Sequence, residues 1–216
     1  MSFVKNKKLF SLVRPGTEDM LYKVFESSTA GTYTYICPYD GIIDLDIVGG
    51  GGGNASSAHN DGGGAAGGGG SGGYSHYESI PVIAGQEFTI VVGAGKGTVW
   101  TYEWGNVTAA TGGESSVTIN EIKYYASGGT GGPAWSRWSA EAGVGGFGET
   151  ISGNDGFTVS GNGGPTGQQA ASVYRGYGVG CIAKVCYGRN LGIPAPGGAG
   201  YVRIILKPGN LMKRIF

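Results

Sequence analysis

Glycine in this chain comes in blocks set between strand-like segments, and that alternation restricts the available folds more than any other feature. The longest block runs from Gly49 to Gly73, and shorter ones surround Gly93, Gly112, Gly128, Gly145, Gly163 and Gly197. In total 47 of 216 residues are glycine, roughly three times the ordinary share. A flexible linker would be confined to one stretch and would lack apolar strands in between. Glycine is therefore expected to be part of the folded framework.

The strands are read from a period of two. Thr32 to Cys37 alternates threonine with Tyr33 and Tyr35. After the Asp40-Gly41 turn signal, Ile43, Leu45 and Ile47 share one face, and Asp44 and Asp46 the other. Phe88, Ile90 and Val92 repeat the pattern. Val117 and Ile119, then Ile122 and Tyr124, form an expected hairpin around Asn120-Glu121, and Val202, Ile204 and Leu206 close the framework. No comparable helical periodicity is present, so the expected fold is all-β: a β-sandwich-like framework with glycine-rich loops.

Strand signals are scarce from Gly49 to Gly73 and from Gly128 to about Gly198, apart from Phe157 to Ser160. Loops of such length are uncommon in a compact domain unless they are functional or have their own order. One way to order them is the extended polyproline-II helix, with three residues per turn and no internal hydrogen bonds. Where no side chain intervenes, such helices approach until the N–H and C=O groups of neighbours pair, as buried backbone requires. Packed polyglycine-II helices are thus one reading of these blocks, and flexible blocks the other.

Composition narrows the function. Lys and Arg balance Asp and Glu to a formal net charge of +0, so the electrostatic footprint of a nucleic-acid or anionic-membrane binder is missing. No apolar run approaches the roughly 20 residues of a membrane helix. Met1 to Phe10 carries lysines without an apolar stretch behind them, so no membrane insertion and synthesis in the cytoplasm are expected. Cys37, Cys181 and Cys186 have no spacing of a redox or zinc motif. Only His59 and His76 are available as near-neutral bases or metal ligands, and neither sits in a recognisable nucleophile or metal pattern. Gly93-Ala-Gly-Lys-Gly-Thr lacks the Ser or Thr after lysine and the helix of a phosphate loop. Asp44 and Asp46 are expected to be solvating charges on a strand's outer face. The expectation is a protein without catalysis, metal or cofactor.

The order of motifs then resembles a family. A strand ends in glycine (Ile42 to Gly53), followed by a GGGSGGY-like segment (Gly69 to Tyr74) and a strand into a glycine turn (Ile80 to Gly95). Next come a GG-x-S-S hairpin (Gly112 to Gly129), interrupted GG repeats, and a closing Gly-Gly-Ala-Gly-Tyr-Val-Arg-Ile strand (Gly197 to Ile204). This set, over about residues 30 to 206, resembles the glycine-rich domain of bacteriophage tail-fibre tips. It is also similar in composition to the glycine-rich adhesins of T-even-like phage long tail fibres. The resemblance implies a virion protein of the tail or tail fibre whose scaffold presents loops to a host cell-surface glycan or outer-membrane protein, as a homotrimer or a single cap on a trimeric fibre. The alternative is a structural virion protein, a connector or spike, that binds no receptor.

Candidate binding residues are those that interrupt glycine with rings or guanidinium groups. Trp100, Tyr102 and Trp104 lie at alternate positions, so an extended backbone turns all three one way. Trp135, Arg137 and Trp138 form a second group, and Tyr174, Arg175 and Tyr177, with Tyr187 further on, a third. Such side chains supply large contact area at low entropy cost, and rings stack on sugar faces. The competing reading is that they fill a core short of bulk. Asn54 to Asp61 is a polar insert that reads equally as a ligand loop or a solvated tip.

The ends suggest attachment. Residues 1–30 have mixed charge and scattered apolar side chains without a heptad, and are expected to dock on other phage tail or fibre proteins; packing on the chain's own sheet is the alternative. Residues 31–207 form the glycine-rich β domain, and 208–216 an amphipathic basic tail.

Overall fold

The structure, a computed structural model, describes residues 22–57, 63–66, 69–97, 99–101, 107–108, 110–135, 177–178, 180, 184–187 and 196–208. Among these there is no helix, and the fold is all-β as expected. Three layers follow one another along the molecule: a sandwich, a bundle of glycine segments, and a small strand cluster.

The sandwich pairs two four-stranded antiparallel sheets. In the first, β1 (Tyr22–Ser27), β14 (Tyr201–Pro208), β3 (Gly41–Val48) and β6 (Tyr74–Val82) lie side by side in that order. In the second the order is β11 (Ile122–Ala126), β10 (Ser115–Ile119), β7 (Glu87–Val92) and β2 (Gly31–Ile36). The alternating residues meet between the sheets. Ile43, Leu45, Ile47, Val202, Ile204 and Leu206 from one sheet form a single buried cluster with Phe88, Ile90, Val92, Val117 and Ile119 from the other. Each such side chain contributes about 1.5–3 kcal/mol when fully buried. Tyr77 and Ser75 on β6 also reach across the sandwich, with both hydroxyls donating to the Tyr125 carbonyl, at 3.2 and 2.6 Å.

Turn chemistry places two irregularities. Asn120 and Glu121 both take left-handed φ values, 48° and 67°, the geometry of a two-residue hairpin turn that matches strand twist. Ser79 (φ 60°) occupies a bulge where β6 shifts register against β3, and its N–H donates to Asp44 Oδ1 at 3.1 Å.

Beyond one end of the sandwich, the strands continue as glycine segments. Residues 49–53, leaving β3, run along the axis of a bundle. Successive N–H groups bond to different neighbours: Gly49 to the Gly73 carbonyl, Gly50 to Gly113, Gly51 to Gly198, Gly52 to Gly70 and Gly53 to Ala110. The partner segment recurs every third residue, and both the 73-to-70 and 113-to-110 steps advance by three. That is the signature of a helix with three residues per turn that bonds only to its neighbours. Carbonyls of the same segment accept from Gly129, Lys96 and Gly132, and a Cβ on Gly178 would meet the Gly49 carbonyl. Among the described residues six segments, 69–73, 93–97, 110–113, 127–132, 177–178 with 180, and 196–200, thus surround one. The bonding is that of polyglycine-II packing, built from short interrupted runs, because each run needs to span only one layer.

Side chains are excluded by contact. A Cβ on Gly49 or Gly52 would lie closer than 3.0 Å to the carbonyls of Ser127 and Thr130, and one on Gly69 or Gly72 would strike Gly52 and Gly49. Backbone, which cannot swing aside, is the obstacle in each case.

Past the bundle lie several short strands, some of them in stretches where strand signals are scarce. β13 (Lys184–Tyr187), β5 (Gly63–Ala66), β12 (Pro133–Trp135) and β9 (Val107–Thr108) make an antiparallel sheet, while β4 (Ala55–Ser57) and β8 (Val99–Thr101) pair in parallel. The sequence shows little periodicity here because two to four residues are too few to display it.

Candidate functional site

Chain direction through the bundle sorts the candidate residues. β3 runs into 49–53, which leads to β4; β7 runs into 93–97, which leads to β8; β11 runs into 127–132, which leads to β12. The returning segments 69–73, 110–113 and 196–200 re-enter the sandwich as β6, β10 and β14. Every excursion from 54 to 68, from 98 to 109 and from 181 to 195 therefore begins and ends at the far face of the bundle. The hairpin Asn120-Glu121, the start of β1 and the end of β14 lie at the opposite pole, where Tyr22 is paired with Leu206 and Pro208 with Gly41. We call the two poles the cap and the base.

The cap brings together Trp100 and Trp135 by their backbone. Trp100 lies in β8 opposite Ser56, and Trp135 in β12 opposite Ala65, which in turn pairs with Val185. β4 packs on β5, β9 and β12 as well as β8, so these strands form one cluster. Tyr102 and Trp104 fall between β8 and β9 in sequence, and with Arg137, Trp138, Tyr174 and Arg175 lie outside the described residues. Tyr187 ends β13, opposite Gly63. The Asn54 end of the polar insert is anchored, with Asn54 fully buried and bridged to Gly132.

Tyr177 is placed differently. Its ring stacks on buried Tyr201, with centroids 4.2 Å apart and planes 8° from parallel, and it covers a small cluster of Val48, Tyr74 and Tyr201 where sandwich meets bundle. It is only half-buried, and its neighbour Gly178 (φ 63°) sits against the Gly49 carbonyl and Val48.

The same sheet face carries a polar array that sequence reasoning missed. Glu26, Arg203, Asp46 and His76 are register partners across β1, β14, β3 and β6, giving a row of alternating charge over the whole sheet. Asp46 is 3% exposed. Its Oδ1 accepts from Tyr74 at 2.7 Å and faces His76 Nδ1 at 2.8 Å, while its Oδ2 accepts from Arg203 Nε at 2.8 Å. His76 Nε2 faces Glu78 Oε1 at 2.8 Å, and Tyr201 donates to Glu26 at 2.5 Å. Asp46 is therefore a buried, fully paired anion and not the solvating charge its alternation implied; Asp44, at the same face, pairs with Lys207 at 2.6 Å. Burial favours the neutral acid, but the bonds from Tyr74, Arg203 and His76 outweigh it and hold Asp46 below the usual carboxylate range. Burial likewise works against a charged His76, yet Glu78 and Asp46 hold the ring above its ordinary value. When the ring is protonated, both nitrogens donate, one toward Asp46 and one toward Glu78. The one available signal was the closing Tyr-Val-Arg-Ile strand, whose arginine alternates with core residues and needs an internal anion.

Elsewhere, burial pushes the Tyr35 hydroxyl up to about 12 and raises the Cys37 thiol, which is free and 1% exposed. Cys186 lies in β13; Cys181 is outside the described residues. Among the described residues no cluster of three His, Cys, Asp or Glu suits a metal ion, and no helix is long and apolar enough to cross a membrane.

Among curated proteins none matches the chain. A family model for the glycine-rich domain matches residues 27–207, which takes in every described strand except most of β1 and the last residue of β14, and so the chain belongs to the glycine-rich domain family.

Proposed function

We propose that this protein is the receptor-recognising tip of a bacteriophage tail fibre, binding a host cell-surface glycan or outer-membrane protein without catalysing a reaction. The observation that carries this reading is polarity. The excursions holding Trp100, Tyr102, Trp104 and Tyr187 start and return at the cap, the one holding Trp135, Arg137 and Trp138 starts there, and the chain enters and leaves the sandwich at the base. A backbone-bonded bundle separates the points where these excursions leave and return from the base, the arrangement a receptor-binding protein needs for preorganised contact. Motif order like that of phage fibre tips supports the same assignment. Repeated copies on a symmetric fibre would turn modest contacts into avidity.

The placement of Tyr177 favours a second reading for its own segment: stacked on Tyr201, it serves the junction of sandwich and bundle, as in a purely structural virion component. The test is adsorption. Purified protein should bind host cells and block infection, and Trp135→Ala with Trp138→Ala should abolish both while leaving thermal unfolding unchanged. Binding that survives these and the Trp100→Ala, Trp104→Ala pair removes the cap from the proposal; no binding at all favours the connector. Release of reducing ends from host envelope polysaccharide would overturn the non-catalytic reading.

A further inference from the structure

The large apolar side chains that stand exposed among the described residues are Ile36, Tyr39, Ile42, Ile83 and Ile122, and all five belong to the base. Ile36 ends β2 opposite Glu87; Phe88, next to Glu87, pairs with Ile119, and Ile119 with Ile122 across the hairpin. Ile42 pairs with Pro81, two residues from Ile83. The loops carrying Tyr39 and Ile83 are tied together: Cys37 donates to Gln86, Gly85 to Cys37, and the Ala84 N–H to Asp40 Oδ1 at 2.8 Å. Exposed apolar side chains scattered singly need no explanation, but five around one set of joined loops do.

The base is also acidic. Asp40, Glu87 and Glu121 are exposed there, and none of them is in an ion pair among the described residues, whereas Lys207 is taken by Asp44 and Lys123 by Glu114. What would cover this pole is apolar with positive charge.

The chain supplies such a segment at the spot. β14 ends at Pro208, paired with Gly41 next to Asp40 and Ile42, and residues 209–216 follow: Gly-Asn-Leu-Met-Lys-Arg-Ile-Phe. Four of the eight are large and apolar, two are basic and none is acidic. Extended, eight residues reach about 26 Å, enough to cross neighbouring strands about 4.8 Å apart and two sheets about 10 Å apart. Tethering at Pro208 makes the contact intramolecular and raises its effective concentration.

We propose that the base is a docking surface for residues 209–216 of the same chain, with Leu211, Met212, Ile215 and Phe216 on the apolar platform and Lys213 and Arg214 toward Asp40, Glu87 and Glu121. The tail then hides the surface unless a competing segment displaces it.

The experiment compares the full chain with a chain ending at Pro208, using a hydrophobic dye whose fluorescence rises on exposed apolar surface. Truncation should raise the signal severalfold, and an eight-residue peptide of sequence 209–216 should quench it again, less well as salt increases. Ile83→Asp in the truncated chain should abolish the quenching. Should truncation compromise folding, Phe216→Asp with Lys213→Glu in the full chain must raise the signal while the melting curve stays cooperative. An unchanged signal on truncation or failure of the peptide to quench overturns the proposal. So does a rise on deleting residues 1–21 instead, which would make that segment the occupant. A full-length dimer that truncation converts to monomer would place the tail on a second copy and overturn the intramolecular assignment.

Discussion

Arg203 on β14 lies directly opposite Asp46 on β3 and donates to its carboxylate from both Nε and Nη2, at 2.8 and 2.5 Å. The pair sits on the face of the sandwich turned away from the apolar core, yet Asp46 is sealed by Tyr74, His76 and Arg203 itself. A salt bridge of this kind is costly to break on one side, because the surviving charge stays desolvated.

Arg203→Ala should accordingly destabilise the fold by about 3 kcal/mol, seen as a fall in the urea midpoint with unchanged slope. Adding Asp46→Asn in the same chain should recover part of that loss by removing the orphaned charge. Additive effects of the two substitutions would mean the pair is not coupled.

His76 predicts a pH dependence of opposite sign to that of Asp46. A ring whose folded pKa is raised stabilises fully below its ordinary value of 6.5, and the contribution disappears as pH rises through the folded value. Asp46, held low, contributes above its ordinary 3.8 and loses that contribution as pH falls through its folded value. The melting-temperature gap between the parent and His76→Gln should therefore be wide at pH 5.5 and narrow at pH 9. For Asp46→Asn the gap should be wide at pH 7 and narrow well below pH 3.8.

Two glycines of the same chain should respond oppositely to alanine. At Gly52 the added methyl meets the carbonyls of Thr130 and Gly129, so Gly52→Ala should cost about 3 kcal/mol or more. At Gly97 nothing lies within 4 Å and φ is not left-handed, so Gly97→Ala should be neutral or stabilising by about 0.5 kcal/mol through the unfolded chain. Chemical denaturation of both variants checks the contrast.

Ser71 interrupts the glycines of segment 69–73, and its Oγ is fully buried without a hydrogen-bond partner among the described residues. Ser71→Ala should raise stability by about 1 kcal/mol, since it removes a desolvated hydroxyl and keeps the Cβ. A loss of stability would show that the hydroxyl is bonded in solution.

Much of the sandwich was legible because burial on one face of a strand imposes a period of two. Ile43, Leu45 and Ile47, Phe88, Ile90 and Val92, and Val202, Ile204 and Leu206 all occupy the core as their alternation requires. The Asn120-Glu121 turn was legible from hairpin spacing. β1 was not: Tyr22–Ser27 falls in the stretch expected to attach elsewhere, and its pairing with β14 depends on a partner some 180 residues away in the chain. Trp100 and Trp135 were readable as unusual residues, but not as members of one strand cluster, since β8 and β12 are three residues each.

The sequence alone determined an all-β framework with glycine woven into it, because periodicity and the absence of side chains are local properties. Tertiary structure decided which glycine segment lies at the centre, at which pole the glycine segments hand over to the short strands, and that Asp46 is a buried anion. Those depend on register between distant segments, and a shift of one residue would turn Asp46 into the core and Leu45 to the outside.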